Sequence, residues 1–570
     1  MVKIGKPIII ILLLVAVLIV YHFVTKNNKK LKKIRKEWES GYFHAVSENY
    51  QSVSSYWENK KRSKSGYDGV DQLTWDDLAM NEVFKKLNYT QSTVGSEYLF
   101  NQLRDINPSL VQQQNNEELY TLLASNQELR EEIILILSGL GKRNYTNSSS
   151  FFYENQDVKI KHTSIYILLA IFPILSLILM FYSLKYGIIL ILSSFLLNTI
   201  IYYRNKLIVE NELYAVSYVA AIIHAAKSLA SINHPKFTTN AKEFRQKVHP
   251  IKKVLTLTKI VAFGKEGGGE FDFIFEYIRI IFLLDFISYK KIIKTVFNYK
   301  EEYRKVWERI GELDAAISVA FYRKSLDTYC TPLFINKEEI SFRNMAHPLL
   351  DKPITNSSTL GKCTLITGSN ASGKSTYIKA IAINAILAQT INTVLAEKWI
   401  MKPSFIVTSM AIQDNVLDGD SYFIAEIKSL KRITQLIEED KPCISFIDEI
   451  LKGTNTIERI AASAAMMEWL SVNKGINVVA SHDIELTEMA RHRYTNHHFR
   501  ESIENGEIQF DYTVHSGPST TRNAIRLLEI LGYPASLTDT ANGLAQQFTR
   551  LREWKEIGEQ PADKNHLEGY

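Results

Sequence analysis

The stretch Thr364–Thr376 has the sequence Thr-Leu-Ile-Thr-Gly-Ser-Asn-Ala-Ser-Gly-Lys-Ser-Thr, and it sets the architecture of the region around it. Its apolar start predicts a strand. The pattern G-x-x-x-x-G-K-S follows, with Gly368, Gly373, Lys374 and Ser375 at the fixed positions. The next residues are typical of a helix. Glycines let backbone N–H groups turn toward a phosphate, and the positive end of the helix faces the same point. The sequence therefore predicts a phosphate-binding loop.

A loop of this type between a strand and a helix is a P-loop. Its lysine reaches the β- and γ-phosphates of a nucleotide, and its serine hydroxyl binds Mg²⁺. We therefore predict ATP and Mg²⁺ as cofactors, with Ser375 as a metal ligand. The predicted nucleotide-binding residues of the loop are Gly368, Ser369, Asn370, Ala371, Ser372, Gly373, Lys374, Ser375 and Thr376.

Two later segments place polar residues where a predicted strand ends. Cys443–Glu449 is an apolar run that ends in two carboxylates. Asp448 is predicted to bind Mg²⁺, and Glu449 is predicted to act as general base on the attacking water. Val478–Asp483 ends similarly, and we predict His482 to be catalytic, in contact with the γ-phosphate or the water. Each of these signals has an alternative when it is considered alone. The acidic segment could be a core strand that happens to end in carboxylates, and the histidine could be purely structural.

Several ordered blocks of the C-terminal half together resemble the MutS family of DNA mismatch-repair ATPases, which are relatives of the ABC-type ATPases. The blocks are Ile366–Gln389, Asp418–Glu426, Ile447–Ser463 and Ala480–Ala490. The resemblance implies ATP hydrolysis at composite sites of a dimer, DNA as a partner, and contact of Ser421 with the γ-phosphate bound by the other subunit. We expect a homodimer.

The chain departs from the family pattern in three places. Ser372 stands where the family usually has a glycine, and Asp420 stands where a basic residue is common. At the start of the chain, where the family has its mismatch-reading domain, we expect a membrane span instead. We therefore expect no mismatch-specific recognition.

Composition narrows the class of protein further. The chain has 570 residues, and 67 Lys and Arg against 61 Asp and Glu give a net charge of +6, which does not indicate a strongly basic nucleic-acid binder. A hydrophobic fraction of 46% excludes wholesale disorder. The three cysteines are widely spaced and odd in number, which argues against a disulfide framework and indicates a reducing compartment.

Three apolar runs predict membrane spans: Pro7–Val24, Ser164–Ser183 and Gly187–Tyr203. The alternative for the last two is a buried core hairpin. Lysine and arginine flank all three runs on the sides that would then face the cytoplasm. We therefore predict a multi-pass protein of the cell membrane with its ATPase domain in the cytoplasm and the lipid bilayer as a partner. A fourth apolar run, Phe271–Ser288, contains charged residues and is interpreted as a buried soluble helix.

The predicted fold class is α + α/β: transmembrane helices and a helical core followed by an ABC-type P-loop α/β ATPase domain. The predicted boundaries are 1–25 for the anchor, 26–160 for the first part of the helical core, 161–206 for the transmembrane hairpin, 207–335 for the second part of the core, and 336–570 for the ATPase domain. The predicted strands of the last domain are Cys363–Thr367, Phe405–Met410, Cys443–Ile447, Asn477–Ala480 and Ile508–Val514.

The leading functional hypothesis is a membrane-anchored ATPase of MutS type that is coupled to DNA binding. The first alternative is a nucleotide-dependent membrane scaffold or switch that does not bind DNA. The second alternative is a transporter motor. The predicted spans contain no charge pair that would mark a substrate route, which argues against this alternative.

Overall fold

The computed structural model describes residues 27–44, 48–63, 69–106, 110–153, 163–251, 272–369, 372–410, 422–504, 507–519, 524–551 and 553–554. They divide into two compact units. Unit 1 extends to Asn336 and also includes Pro348–Asp351 and Ala382–Val407. Unit 2 comprises Lys337–His347, Lys352–Ile381 and the chain from Thr408 onward. The predicted anchor at residues 1–25 lies outside the described residues.

Unit 1 is helical. Its helices are 27–40, Tyr50–Val53, Ser55–Ser63, Gln72–Asp77, Met80–Leu87, Thr93–Arg104, Leu110–Ser125, Gln127–Leu140, Ser150–Tyr153, Thr163–Tyr182, Leu184–Ala230, Thr238–Val248, Asp272–Ile281, Leu284–Asn298 and Lys300–Ser325, with a 3₁₀ turn at Pro235–Phe237. Two short strands, Leu333–Phe334 (β1) and Lys398–Met401 (β5), pair in parallel.

The core of unit 1 lies along Lys300–Ser325, whose residues from Tyr303 to Arg323 are largely buried. Two glycines allow close approach between this helix and Thr93–Arg104. A Cβ at Gly95 would lie 2.2 Å from the carboxylate of Asp314, and one at Gly311 would lie 2.6 Å from the Tyr98 side chain. The contact is specific because the buried Asp314 carboxylate accepts hydrogen bonds from the backbone and the hydroxyl of Ser92.

Thr163–Tyr182 and Leu184–Ala230 form an antiparallel pair, the apolar hairpin. By length and composition alone, Thr163–Tyr182 and the segment Leu184–Lys206 could each cross a membrane, and only 11% and 17% of them is buried within the protein. Their tip is tight, since a Cβ at Gly187 would lie 2.3 Å from the side chain of Met180. Large apolar side chains are exposed along both helices, from Ile165 to Tyr203.

The run Phe271–Ser288 was predicted to be one soluble helix, and the structure instead has two helices there, Asp272–Ile281 and Leu284–Asn298, which we call the broken pair. The chain breaks at Leu283, whose φ of +49° is left-handed and ends the first helix. Neither helix has the roughly 20 residues that a span requires. The broken pair packs against the apolar hairpin. The side chain of Asn198, in the hairpin, donates a hydrogen bond to the carbonyl of Ile281, in the broken pair, at 2.7 Å.

Unit 2 is an α/β unit with two antiparallel strand pairs beside a larger sheet. The antiparallel pairs are Ile340–Met345 (β2) with Asn356–Leu360 (β3), and Glu501–Glu504 (β10) with Glu507–Phe510 (β11). The strands of the larger sheet are Cys363–Thr367 (β4), Phe405–Ser409 (β6), Cys443–Asp448 (β7), Ile476–Ser481 (β8), Thr495–His498 (β9) and His515–Ser516 (β12). The chain passes from unit 1 to unit 2 within β6, at Thr408. Their order is β12-β9-β4-β8-β7-β6. β4 pairs in parallel with β8 and β9, and β7 pairs in parallel with β8.

The helices of unit 2 are Tyr422–Glu438, Thr456–Val472, Glu485–Met489, Ala524–Ile530 and Ala535–Leu551. The helix Lys374–Ile391 begins in this unit, and its residues from Ala382 belong to unit 1. The predicted combination of a helical part with an α/β part is confirmed by the observed helices and sheets. Four of the five predicted strands match the observed ones to within one residue at each end.

The fifth predicted strand, Ile508–Val514, is wrong as a single strand. The structure has β11 ending at Phe510 and β12 beginning at His515. Tyr512 between them has a left-handed φ of +50°. The side chain of Asn356 holds this turn, because it donates to the Tyr512 carbonyl at 3.0 Å and accepts from the backbone of Val514 at 2.8 Å. A partner so distant in sequence leaves no local signal.

Candidate nucleotide site

The loop after β4 needs glycine at both fixed positions. Gly368 has φ of +143° and Gly373 has φ of +102°, values that side chains with a Cβ rarely adopt. Space is short as well. A Cβ at Gly368 would lie 2.8 Å from the Phe499 carbonyl, and one at Gly373 would lie 3.0 Å from the ring of Tyr512. Backbone conformation and close packing therefore both require glycine at the two positions where the sequence predicts phosphate binding.

Lys374 begins the helix that follows the loop, and its side chain turns back into the loop. Its ammonium donates to the carbonyls of Gly368 and Ser369 at 2.6 and 2.8 Å, and only 2% of the residue is exposed. Burial lowers the pKa of Lys374, although the charges of Asp448 and Glu449 oppose this effect. The negative charges of Asp448 and Glu449 therefore partly offset the effect of burial on this ammonium.

Ser372, which departs from the family pattern, braces the loop from inside. It is fully buried, and its hydroxyl donates to the Ser369 carbonyl at 2.7 Å. The Ser369 hydroxyl in turn donates to Glu501 at 3.2 Å. A glycine at residue 372 could not make the first of these bonds. The serine thus adds a tie within the loop that the usual glycine would lack.

The register of the sheet brings the strand ends together. Thr367 at the end of β4 is opposite Ser481 at the end of β8, and Asp448 at the end of β7 is opposite Ala480. Carboxyl ends of parallel strands are where α/β sheets bind ligands. The end of β4, Asp448 and His482 therefore lie along one edge of one sheet, as parallel pairing of the predicted strands requires.

Glu449 and His482 contact each other at that edge. Glu449 Oε1 lies 2.8 Å from His482 Nδ1, and Glu449 Oε2 lies 3.6 Å from the Lys452 ammonium. The backbone of Glu449 is left-handed, with φ of +67°, and its N–H donates to the Ala480 carbonyl at 3.0 Å. A non-glycine residue in this region costs about 1–3 kcal/mol, and such residues concentrate at functional sites.

The contact shifts the two protonation equilibria in opposite directions. Burial raises the pKa of Glu449, but the hydrogen bond with His482 and the charge of Lys452 outweigh it and leave this pKa below its usual value. The hydrogen bond to Glu449 raises the pKa of His482, against the effect of its partial burial. Near neutral pH the carboxylate is therefore ionised, which is the form that a general base needs.

Comparison with known proteins agrees with this geometry. A family model described as MutS domain V matches residues 364–549, which contain the loop after β4, Asp448, Glu449 and His482. The DNA mismatch repair protein MutS of Geobacillus sp. (strain WCH70) is 29% identical over 296 residues, which are 50% of this chain and 34% of that protein. The C-terminal part of the chain is therefore similar to MutS domain V.

Other MutS proteins match the chain to a similar extent. That of Listeria monocytogenes serotype 4a (strain HCC23) is 27% identical over 279 residues, 46% of this chain and 32% of that protein. That of Streptococcus agalactiae serotype Ia is 28% identical over 279 residues, again 46% and 32%. The chain thus spans about a third of the length of the curated MutS relatives it matches.

The predicted site residues fall into two groups in unit 2. Gly368, Ser369, Ser372, Gly373 and Lys374 form the loop, and Ser375 and Thr376 continue the first turn of the helix Lys374–Ile391. Asp448, Glu449 and His482 lie at the same sheet edge. Three predicted residues, Asn370, Ala371 and Ser421, lie outside the described residues. The role of each residue stays a prediction.

The sequence analysis missed residues that support the candidate nucleotide site. Glu426 is 2% exposed and accepts the backbone N–H of Lys452 at 2.9 Å, so it orients the turn that follows Glu449. Arg459 forms two hydrogen bonds, of 2.6 and 3.1 Å, with Asp483, the neighbour of His482. Glu426 could have been singled out from the sequence, because it ends the segment Asp418–Glu426 that resembles the family. Its contact with the backbone of Lys452 could not have been predicted.

Proposed function

We propose that the chain binds ATP with Mg²⁺ and hydrolyses it. The observation that supports this most is the common position of the Lys374 ammonium, Asp448 and the Glu449–His482 pair at one sheet edge. The residues also fit a triphosphate. Glycine at residues 368 and 373 lets the loop backbone adopt positive φ, and a helix begins at the loop.

The residues have distinct parts in the proposed site. The loop backbone and Lys374 would hold the phosphates, and the Lys374 ammonium would exchange its loop carbonyl partners for phosphate oxygens. Ser375 and Asp448 would hold Mg²⁺, which neutralises phosphate charge when bound. Glu449 would accept the proton of the attacking water, and His482 would orient that carboxylate through its Nδ1.

Two variants test the proposal on the full chain. Lys374→Ala should abolish ATP binding, because the site loses its buried positive charge. Glu449→Gln should retain binding but slow hydrolysis by about two to four decades, the scale of general-base loss. Lys379→Ala, in the same helix, is the control and should behave as the unmodified chain. Normal turnover by Glu449→Gln would refute the role of Glu449.

We also propose that the apolar hairpin spans the cell membrane, with unit 2 in the cytoplasm. The exposed apolar side chains from Ile165 to Tyr203 support this, because water would solvate such a surface poorly. The basic flanks Lys159 and Lys161, and Arg204 and Lys206, support the orientation.

Cysteine labelling in intact cells tests this topology. An impermeant reagent should label a cysteine placed at Lys185, at the tip, and should leave one placed at Gly453 unlabelled until the cells are opened. Labelling at Gly453 in intact cells would refute the orientation.

The third part of the proposal is that the protein forms a dimer through unit 2. Ser421 would complete the ATP site of the neighbouring subunit, as the family resemblance implies. Mixing Lys374→Ala with Ser421→Ala subunits should then leave at most one working composite site in each heterodimer. A strictly monomeric chain with full activity would refute this.

DNA is the partner that the names of the MutS relatives suggest. We propose binding to the phosphate backbone or to DNA shape, with little preference for a mismatch. The test measures binding of matched and mismatched duplexes to the full chain in lipid nanodiscs at two salt concentrations. Affinity should fall with salt, since phosphate contacts release counterions. Preference for a mismatch above about tenfold would contradict the proposal. No binding at low salt would favour the membrane scaffold that does not bind DNA.

A further inference from the structure

The broken pair meets the apolar hairpin well inside its apolar stretch. The buried side chain of Asn198 donates to the carbonyl of Leu169 at 3.1 Å and to that of Ile281, the last residue of the first helix of the pair, at 2.7 Å. Leu169 lies about 9 Å along its helix from Thr163, and Asn198 lies about 12 Å before Lys206. Both measures put Ile281 about a third of the way across a hydrocarbon core of about 30 Å.

The second helix of the pair gives a consistent depth. The buried ring of Phe286 lies 5.1 Å from that of Tyr166 and 5.4 Å from that of Tyr202. Tyr166 and Tyr202 are each within about 6 Å of the cytoplasmic end of the apolar stretch. The chain therefore descends to Ile281, breaks, and returns toward the cytoplasm through Phe286.

The two buried charges of the pair, Arg279 and Asp285, are satisfied at this depth. Arg279 forms two hydrogen bonds with Asp285, of 2.6 and 2.9 Å, and the hydroxyl of Tyr202 donates to Asp285 at 2.9 Å. The side chains of Arg279 and Asp285 are 10% and 4% exposed. Ionisable side chains within a membrane are tolerated when they pair with one another and face protein, as these do.

The exposed residues of the pair follow the same depth order. Tyr277 and Ile278 are 53% and 40% exposed and precede Ile281 by about one turn, so they would face acyl chains and the interface. Lys291 and Lys294 are exposed and lie about 8 and 12 Å beyond Phe286 in the second helix, which would bring them to the headgroups. Apolar and basic residues thus occur where a bilayer would require them.

We propose that residues 272–298 form a re-entrant element that enters the cytoplasmic leaflet, turns at Leu283 and leaves on the same side, with lipid against Tyr277 and Ile278. This inference rests on the proposed membrane insertion of the apolar hairpin. The Asn198 side chain is the positioning residue, because it satisfies the carbonyl at which the first helix ends.

The test uses the full chain in phosphatidylcholine nanodiscs that contain a minor fraction of phosphatidylglycerol. Cys330, Cys363 and Cys443 are replaced by alanine, and single cysteines with a fluorophore are introduced at Ile278, or alternatively at Tyr277, at Leu175 in the hairpin and at Phe297 near the end of the second helix. Nitroxide lipids should quench the probes at Ile278 and Leu175, whereas aqueous iodide should quench the probe at Phe297.

The outcomes separate this inference from the proposal on which it rests. If iodide quenches the probes at both Ile278 and Tyr277 as it does at Phe297, while the Leu175 probe is protected, the re-entrant element is refuted and the spanning hairpin stands. If iodide quenches the Leu175 probe, the membrane hairpin itself is refuted.

A second variant tests how the element is held. Asn198→Leu should increase iodide quenching at Ile278 and leave quenching at Leu175 unchanged. Ser194→Ala, one turn away and also buried, is the matched control and should change neither. Unchanged quenching at Ile278 in Asn198→Leu would contradict the positioning role of Asn198.

Discussion

Glu97→Gln should stabilise the chain at alkaline pH and have little effect at acid pH. Glu97 is fully buried in the helix Thr93–Arg104, and neither of its carboxyl oxygens has a hydrogen-bond partner of normal geometry among the residues that the structure describes. Burial raises the pKa of Glu97 to about 8, although the nearby hydroxyls of Ser55 and Ser149 lower it, and the charge of Glu48 adds to the rise. The buried carboxyl is therefore protonated at pH 7.

The sign and size of the effect follow from proton linkage. The pKa of Glu97 rises from 4.5 to about 8 on folding, so between these values the folded state binds more protons than the unfolded state. Stability therefore falls as pH rises from about 4.5 to 8 and then levels off. Each pKa unit corresponds to about 1.4 kcal/mol, which makes the cost at pH 7 about 3 kcal/mol. A neutral glutamine does not incur this cost.

The assay is thermal unfolding of the full chain in detergent, compared between pH 5 and pH 8. Relative to the unmodified chain, Glu97→Gln should gain about 3 kcal/mol more at pH 8 than at pH 5, or about 6 °C in melting temperature for a large unit. Subtracting the stability change at pH 5 from that at pH 8 removes any effect of the glutamine amide that does not depend on pH. Glu132→Gln, on the surface, controls for the substitution. An equal effect of Glu97→Gln at both pH values would refute the reasoning.

Three further outcomes are expected. In His482→Ala, Glu449 loses the hydrogen bond that lowers its pKa, so the acid limb of the pH profile of ATP hydrolysis should move to higher pH; an unmoved limb would show that this carboxylate is not the base. Ser372→Gly should reduce the free energy of unfolding by about 1–2 kcal/mol, measured by denaturant titration, because it loses a buried hydrogen bond and gains backbone freedom. Gly187→Ala should reduce the yield of folded protein from membranes, because its Cβ has no room, whereas Gly139→Ala, with open space around the added atom, should not; equal yields would contradict the tight tip of the hairpin.

The local motifs of unit 2 were predictable because their signals are contiguous. The strand Cys363–Thr367 was predicted with its observed bounds, and the strands that end at Asp448 and Ser481 were predicted to within a residue. Parallel pairing of such strands requires their carboxyl ends to meet, so the approach of Lys374 to the Glu449–His482 pair could be inferred before any coordinates. The roles of these residues were interpretations, and they remain predictions.

The contacts that complete the site could not be inferred in this way. Glu501 reaches Ser369 from 132 residues further along the chain, and Tyr512 packs against Gly373 from a similar distance in sequence. No periodicity or spacing relates such residues, since their meeting depends on how strands pack side by side. The predicted strand Ile508–Val514 failed for the same reason, because the side chain of Asn356, from a separate strand, holds the turn that interrupts it.

Composition and spacing within short stretches were enough to predict the order of the motifs, the P-loop with its two glycines, the acidic and histidine strand ends, and the two long apolar helices of unit 1. Long-range packing was needed to show that the run after residue 271 breaks at Leu283, and that the charges of Arg279 and Asp285 neutralise each other beside Tyr202. In the sequence those charges argued only for a soluble helix. A charge in an apolar segment has a cost that depends on its partners. The break at Leu283 lets Arg279 meet Asp285 within the same run, and the fold adds the Tyr202 hydroxyl from a distant helix.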